Sequence, residues 1–457
     1  MVNKFRVPAV IACWLVVSLT DLAVGSESWK AGVAKTAITP QQPMWMSGYA
    51  ARNRPAEGTL HDLWAKALVL EDPAGSRVVL VTLDLIGMHR DVAAEICQRL
   101  QEKHKLERRH IALATSHTHT GPVVGKNLFS MYFLDESQQQ QVRDYATFLG
   151  DRLVDVFGEA WKYMEPATLK HGMGRATFAV NRRNNREGEV PRLRETGELR
   201  GPVDHELPVL AVYDSQQQLK SIVFGYACHA TVLNFYQWSG DWPGFAQIEL
   251  ERRHPQAVAL FWAGCGADQN PLPRRTVELA AGYGEQIADA VDKTLAGQPR
   301  AVAGNLQSAY QEVPLAFDTL PDQEQLRKDA ESTNRYVASR ARMLLDQWRR
   351  DGGLAEQYRY PVQFWKLGND IHFVILGGEV VVDYSVRLKT ESEQETVWVA
   401  AYANDVMAYI PSRRVLLEGG YEGASSMIYY GQPTTWAADI EDRIHRAVRD
   451  VIARAKP

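Results

Sequence analysis

Short aliphatic and β-branched runs recur along the chain, each ending in turn residues or in polar, reactive ones. Such runs read as buried strands, here over 65–71, 77–84, 110–115, 207–213, 221–228, 257–262 and 371–376. Between them, apolar residues three and four apart predict helices over 90–104, 138–164, 282–295, 321–350 and 436–455. The 321–350 segment reads as one charged, solvent-facing helix whose Leu, Met and Trp stripe packs on a sheet. Stretches near 182–203 and 296–304 read as surface loops, neither long nor biased enough to link domains. Strands and helices interleave throughout, so the expected fold is an α/β layered architecture.

The amino terminus departs from this pattern. Lys4 and Arg6 precede an apolar stretch over 7–19, and Ala23, Gly25 and Ser26 follow before Glu27, which is the pattern of an export signal over residues 1–26. The run is too short, and Asp21 too early, for a membrane anchor of about 20 residues. No later segment reaches spanning length, so the expectation is an exported protein, periplasmic or extracellular, without a transmembrane segment. Cys13 lies in the signal, and Cys97, Cys228 and Cys265 allow one disulfide at most. With 45% hydrophobic and 23% charged residues and a net charge of −4, the 457-residue chain has the makeup of a globular protein and lacks the basic footprint of a nucleic-acid binder.

Chemistry concentrates where the runs end. His117-Thr118-His119-Thr120-Gly121-Pro122 directly follows the run 110–115. In an extended chain residues two apart face the same side, so the two imidazoles suit a divalent metal, or one ligand and one hydrogen-bond donor to substrate. His229 follows the run 221–228, and Glu379 follows 371–376 after Gly377-Gly378. Alone, His229 reads equally as a satisfied core histidine and Glu379 more readily as a solvated loop carboxylate than as a ligand; the coincidence of three zinc-type ligands ending three strands carries the weight. His-x-His also opens many TIM-barrel metal sites, but the strict βα repeat is missing. Arg182 and Arg183 put fixed charge in a loop, and Tyr409 and Tyr421 lie in a Gly- and Tyr-rich region.

Taken in order, these segments resemble the catalytic domain of the neutral (alkaline, non-lysosomal) ceramidases. Gly32 to Pro40 and Met46-Ser47-Gly48-Tyr49-Ala50 are similar to the family's first strand and its glycine turn beside the substrate. His117-Thr118-His119 is similar to its His-Thr-His, whose first histidine binds zinc and whose second faces the scissile amide. Asn181-Arg182 matches the start of its Asn-Arg-Ser motif, Cys228-His229 its second zinc histidine, and Gly378-Glu379 its carboxylate ligand. Tyr409 looks like the tyrosine completing the zinc shell, and Tyr421-Glu422-Gly423-Ala424-Ser425 the segment that reaches the substrate. Two motifs depart. Gly266-Ala267-Asp268-Gln269-Asn270-Pro271 offers Gln269 where the family carries a serine, and Arg183 replaces the serine of Asn-Arg-Ser. The resemblance implies mixed β-sheets flanked by helices in a single catalytic domain over 27–457, without the family's C-terminal immunoglobulin-like domain.

The function implied is a Zn²⁺-dependent amidohydrolase that cleaves an N-acyl amide, in ceramide or a ceramide-like lipid, by attack of hydroxide on the metal. His117, His229, Glu379 and Tyr409 are the expected metal ligands. His119, Arg182 and Tyr421 are the expected catalytic residues, and Gly48 and Gln269 contact substrate, Gln269 at most by a hydrogen bond. Two alternatives stand beside it: a zinc hydrolase of a smaller, non-sphingoid N-acyl amide or ester, and a non-catalytic extracellular glycan- or lipid-binding protein. Oligomeric state is not legible in the sequence.

Overall fold

Apolar runs without polar alternation need cover on both faces, and the sheets they build here are covered on both. The computed structural model describes residues 1–2 and 28–457. The expected export signal lies, but for its first two residues, outside the described residues. Among those described, twelve strands have five or more residues: β1 (Trp29–Ala37), β2 (Trp64–Glu71), β3 (Arg77–Leu83), β4 (Ile111–Thr115), β5 (Glu165–Arg175), β6 (Glu206–Asp214), β7 (Leu219–Tyr226), β8 (Val258–Ala263), β9 (Gln307–Ala316), β10 (Gln357–Leu367), β11 (Ile371–Leu376) and β12 (Thr396–Ala400). The larger sheet runs β8-β7-β6-β5-β1-β2-β3-β4, with Arg300–Ala301 added beside β5. Its pairings are antiparallel except β8 with β7 and β3 with β4. The smaller sheet runs β9-β10-β11-β12, with only β11 and β12 parallel.

The two sheets stack face to face. Leu70, Leu80, Leu210 and Leu260 of the larger sheet meet Trp365, Phe373 and Trp398 of the smaller, and the rings of Trp262 and Trp398 stack with centroids 6.4 Å apart. Eight helices of eight or more residues are described: α1 (Arg90–His104), α2 (Glu136–Lys162), α3 (Asp241–Arg253), α4 (Val277–Ala296), α5 (Gln323–Ala330), α6 (Arg335–Asp351), α7 (Val382–Glu391) and α8 (Ile440–Arg454). Ile96, Leu100, Leu149 and Phe157 of α1 and α2 cover one half of the larger sheet's outer face. Trp242, Leu250, Ile287 and Val291 of α3 and α4 cover the other half, and Ile444, Val448 and Val451 of α8 cover the outer face of the smaller sheet. The result is a four-layer α-β-β-α stack of mixed sheets flanked by helices.

Two expectations need correction. The predicted single helix over 321–350 is two, α5 and α6, broken at Glu331-Ser332-Thr333-Asn334. Ser and Asn compete for backbone groups: the Asn334 side chain accepts from the N–H of Tyr336 at 3.0 Å, and the Asn334 N–H donates to Ser332 Oγ at 3.2 Å, ending one helix and capping the next. The stripe on α6 packs against α5 and the short turn Phe129–Met131 rather than on a sheet. The expected loop 182–203 contains a one-turn segment, Glu187–Glu189, and a short helix, Val190–Glu195.

Cys97, Cys228 and Cys265 are buried and unbonded to one another. No described helix is long and apolar enough to cross a membrane.

Candidate metal centre

The carboxyl ends of β4, β7 and β11 meet at the seam between the sheets, where Ala114 bridges to Ala403 and Gly264 to Ala400. His117 and His119 follow β4, His229 follows β7, and Glu379 follows β11. Strand alternation is not what brings His117 and His119 together, contrary to the expectation from an extended His-x-His. The chain leaves β4 at Thr115, and His117 takes the left-handed conformation, φ 59°. Outside glycine that conformation costs about 1–2 kcal/mol, and here it turns the imidazole into the seam.

His117 and His229 each have their tautomer fixed. His117 Nδ1 donates to Ile86 O at 2.5 Å and His229 Nδ1 donates to Gly266 O at 2.7 Å, since a carbonyl can only accept. In the neutral rings both Nε2 atoms therefore carry lone pairs. They face one carboxylate oxygen, Glu379 Oε2, at 3.1 Å from His117 and 3.3 Å from His229. That oxygen is buried with no hydrogen-bond donor, while Oε1 accepts a short hydrogen bond from Tyr430 OH. Three acceptors pointing at one another leave a cation as the missing component, and a divalent metal meets that need. Nitrogen atoms of His117, His119 and His229 all lie within 4.8 Å of one another, with His119 Nε2 3.2 Å from His117 Nε2.

The electrostatics agree with ligation. Burial, with a smaller push from Arg182, drives His229 down to about 4. Burial drives His119 well below its ordinary range, helped by the neighbouring rings of His117 and His229. Neutral imidazole is the ligating form.

Tyr409 is the register partner of Glu379 in a short parallel pairing, Glu379–Val380 with Tyr409–Ile410. Its hydroxyl lies 3.3 Å from His229 Nε2 and accepts from Arg182 Nη2 at 3.2 Å. Arg182 spends its other donors on Glu422 Oε1 at 2.7 Å and Asn270 Oδ1 at 3.3 Å. Tyr421 stands at the mouth, 43% exposed, with its ring 5.2 Å from that of Tyr409.

Gly48 lies directly against His119. Its φ is +95°, and a Cβ there would fall 2.5 Å from His119 Nδ1. Both the backbone and the space demand glycine. Gly48→Ala is expected to displace the His119 ring and lower kcat at least 100-fold while bound metal stays within 20% of wild type. Turnover and metal content measured on one preparation check it, and wild-type kcat would count against the placement.

Gln269 does not enter this cluster. It is fully buried, its Nε2 donates to Ala227 O at 2.5 Å, and its Oε1 accepts from Asp204 N at 3.1 Å. The turn containing it is a scaffold instead. Gly266 O orients His229, and Asp268 O accepts from Arg182 N at 2.8 Å.

Three side chains of the site escaped the sequence reading. Tyr430 binds Glu379, and Trp436 Nε1 donates to Tyr409 O at 2.9 Å, fixing the tyrosine's backbone. The Tyr402 ring lies 4.3 Å from that of His117. Tyr402 follows β12, a strand that the apolar runs did not reveal, and neither Tyr430 nor Trp436 stands beside the end of a strand that they did reveal. The loop leading to Tyr409 also buries Asp405, which accepts from Tyr358 OH at 2.7 Å. Burial pushes its carboxyl up to about 7. A raised acid pKa contributes stability that is complete below about pH 4 and declines as pH rises to about 7. Asp405→Asn is therefore expected to match wild type near pH 4 and to exceed its unfolding free energy at pH 8 by up to ~4 kcal/mol. Denaturant melts at the two pH values would read this directly, and equal differences at both would refute it.

Fold and site together define a layered α/β protein with a buried cluster of His and Glu side chains, residue types that suit a metal, at the ends of its strands. Comparison with known proteins narrows that class. The family model described as neutral/alkaline non-lysosomal ceramidase, N-terminal, matches residues 29–311. The chain belongs to the neutral/alkaline non-lysosomal ceramidase family. It is 27% identical over 242 residues to the neutral ceramidase of Pseudomonas aeruginosa, covering 51% of this chain and 35% of that one. It is 25% identical over 293 residues to neutral ceramidase 2 of Arabidopsis thaliana, covering 60% and 38%. The chain thus spans little more than a third of the length of these curated relatives. The crystal structure of the P. aeruginosa neutral ceramidase superposes with a TM-score of 0.70 at 21% identity, over 93% of this chain and 74% of that one, a likeness of fold.

Proposed function

We propose that this protein is a zinc-dependent amidohydrolase of N-acyl lipids, ceramide or a close analogue, with residues 27–457 acting as one catalytic unit and 1–26 as an export signal. The observation that carries the reading is the unpartnered Glu379 Oε2 between two histidine lone pairs. Family membership supplies the reaction class, and the His and Glu donor set suits zinc.

His117, His229 and Glu379 would hold the metal, with Tyr409 completing the set. When bound, zinc acidifies water to a pKa of about 7 and polarises an acyl oxygen. The remaining roles belong to the chain. His119 is neutral at rest and its Nδ1 has no hydrogen-bond partner. It is placed to accept a proton as the acyl carbon is attacked and to pass it to the departing amine as the C–N bond breaks. Tyr421, at the mouth, donates to the developing oxyanion. Arg182 touches Tyr409 OH and keeps that hydroxyl aimed at the cluster.

The test is metal analysis of the purified protein beside hydrolysis of ceramide in detergent and of a short soluble N-acyl substrate. One zinc per chain is expected, with ceramide cleavage lost on chelation and restored by zinc. Cleavage of the short substrate alone would move the reading to a smaller N-acyl compound, and failure to take up zinc would overturn it.

A further inference from the structure

Arg183 stands where the resembled motif has serine, and the structure gives it a task. Arg182 and Arg183 straddle one carboxylate: Glu422 Oε1 accepts from Arg182 Nε at 2.7 Å and Glu422 Oε2 from Arg183 Nη1 at 2.5 Å. Arg183 also donates from Nη2 to Glu418 Oε2 at 2.9 Å and to Gly419 O at 3.1 Å. Its guanidinium therefore grips both ends of the segment 418–422, which carries Tyr421. Arg183 is anchored from behind, its backbone N–H donating to Asn181 Oδ1 at 3.1 Å. Two arginines face two glutamates, so the cluster is charge-balanced, and Arg414 gives Glu418 a further partner at 3.0 Å.

Beyond these ion pairs the hold on the segment is local: Gly419 N–H donates to Val415 O at 3.0 Å, Ala424 N–H to Gly420 O at 3.1 Å, and the Tyr421 ring rests on Tyr409. Gly419 and Gly420 take φ values of +66° and +76°, which glycine reaches without steric cost, but ordering two adjacent glycines loses more backbone entropy than ordering any other pair. Leu417 is 76% exposed, so apolar burial contributes little on that side. Charge-assisted hydrogen bonds are the strong terms available there. We infer that Arg183 is a positioning residue that latches the Glu418–Glu422 segment and so holds Tyr421 against Tyr409 at the mouth of the site.

The catalytic part of this inference rests on the proposed function; the latch itself does not. Hydrogen–deuterium exchange of the zinc-loaded protein tests the latch. In Arg183→Ser, the peptide spanning 413–428, which includes the hydrogen-bonded Gly419 and Ala424 amides, should exchange at least tenfold faster. Peptides around His117 and His229 and the zinc content should not change. Wild-type exchange over 413–428 overturns the latch. Turnover tests the link to Tyr421: Arg183→Ser and Tyr421→Phe should each lower kcat/KM about tenfold, and the double variant should be no worse than either. Additive losses would show that Arg183 does not act through Tyr421. If Arg183→Ser fails to fold, Glu418→Gln, which removes one leg of the latch, carries the same exchange measurement with a threefold acceleration expected. A wild type that hydrolyses no N-acyl substrate removes the functional reading while leaving the exchange result to decide the latch.

Discussion

Glu379→Gln is expected to leave the protein without bound metal and without activity. The carboxamide keeps the size of the carboxylate and can still accept from Tyr430 OH. In place of the orphaned oxygen it can present an N–H₂ group, which donates to the lone pairs of His117 and His229 Nε2 and closes the cluster with hydrogen bonds alone. The cavity is then satisfied without a cation. Metal stoichiometry near one in wild type should fall below about 0.1, and the stabilisation by zinc at 100 times its Kd, about 2.7 kcal/mol, should vanish. A less obvious corollary concerns the metal-free forms. Apo wild type carries an uncompensated buried charge that the variant lacks, so chelated Glu379→Gln should melt higher than chelated wild type. Retained stoichiometric zinc in the variant would show that Glu379 is not a ligand.

Arg182→Met is expected to spare the metal and damage everything arranged around it. The guanidinium reaches Tyr409 OH, Asn270 and Glu422 at once. Burial disfavours its charge, yet Tyr409 and Glu422 outweigh that and keep it protonated. Met fills much of the volume but satisfies none of the three acceptors. Removing one member of a buried ion pair costs about 3–5 kcal/mol. Because Arg183 still holds the other oxygen of Glu422, the expected loss falls below that range, at about 2–3 kcal/mol. With Tyr409 OH no longer aimed, kcat should fall about 100- to 1,000-fold, the magnitude of losing one preorganised donor network. Calorimetry, metal analysis and kinetics on one preparation separate the effects. A kcat within twofold of wild type would remove Arg182 from the site's chemistry.

What was readable in the sequence follows from burial. The runs that became β2, β3, β4, β6, β7, β8 and β11 are covered on both faces, so most positions are apolar and no period is needed to see them. β9 and β10 were invisible because Pro314 and Pro361 interrupt them, and proline normally argues against a strand. β10 also carries Gln363 in the core, satisfied by the carbonyls of Arg109 and Ile111 and by Asn404. β1 was legible only by resemblance. Gly32 breaks its pattern because α2 lies so close that a Cβ would fall 1.9 Å from Ala160 O. In the site, His117, His119, His229 and Glu379 were legible as reactive residues ending apolar runs. The left-handed turn at His117 was not, since nothing in His-x-His announces it. The burial of the Gln269 amide between Ala227 and Asp204 was not legible either, because a position in a motif says nothing about which way the amide points.

The seam location of the cluster also has a temporal meaning. His117 and His229 hang from the larger sheet, Glu379 and Tyr409 follow the smaller, and Tyr430 and Trp436 steady them from still later in the chain. A nascent polypeptide carries both histidines long before it carries the carboxylate. With the ligand set proposed above, high-affinity capture of the ion would await synthesis through Glu379 and Tyr409 and docking of the second sheet on the first. Metal occupancy would then report completed docking, and a half-docked chain would be a poor competitor for the ion.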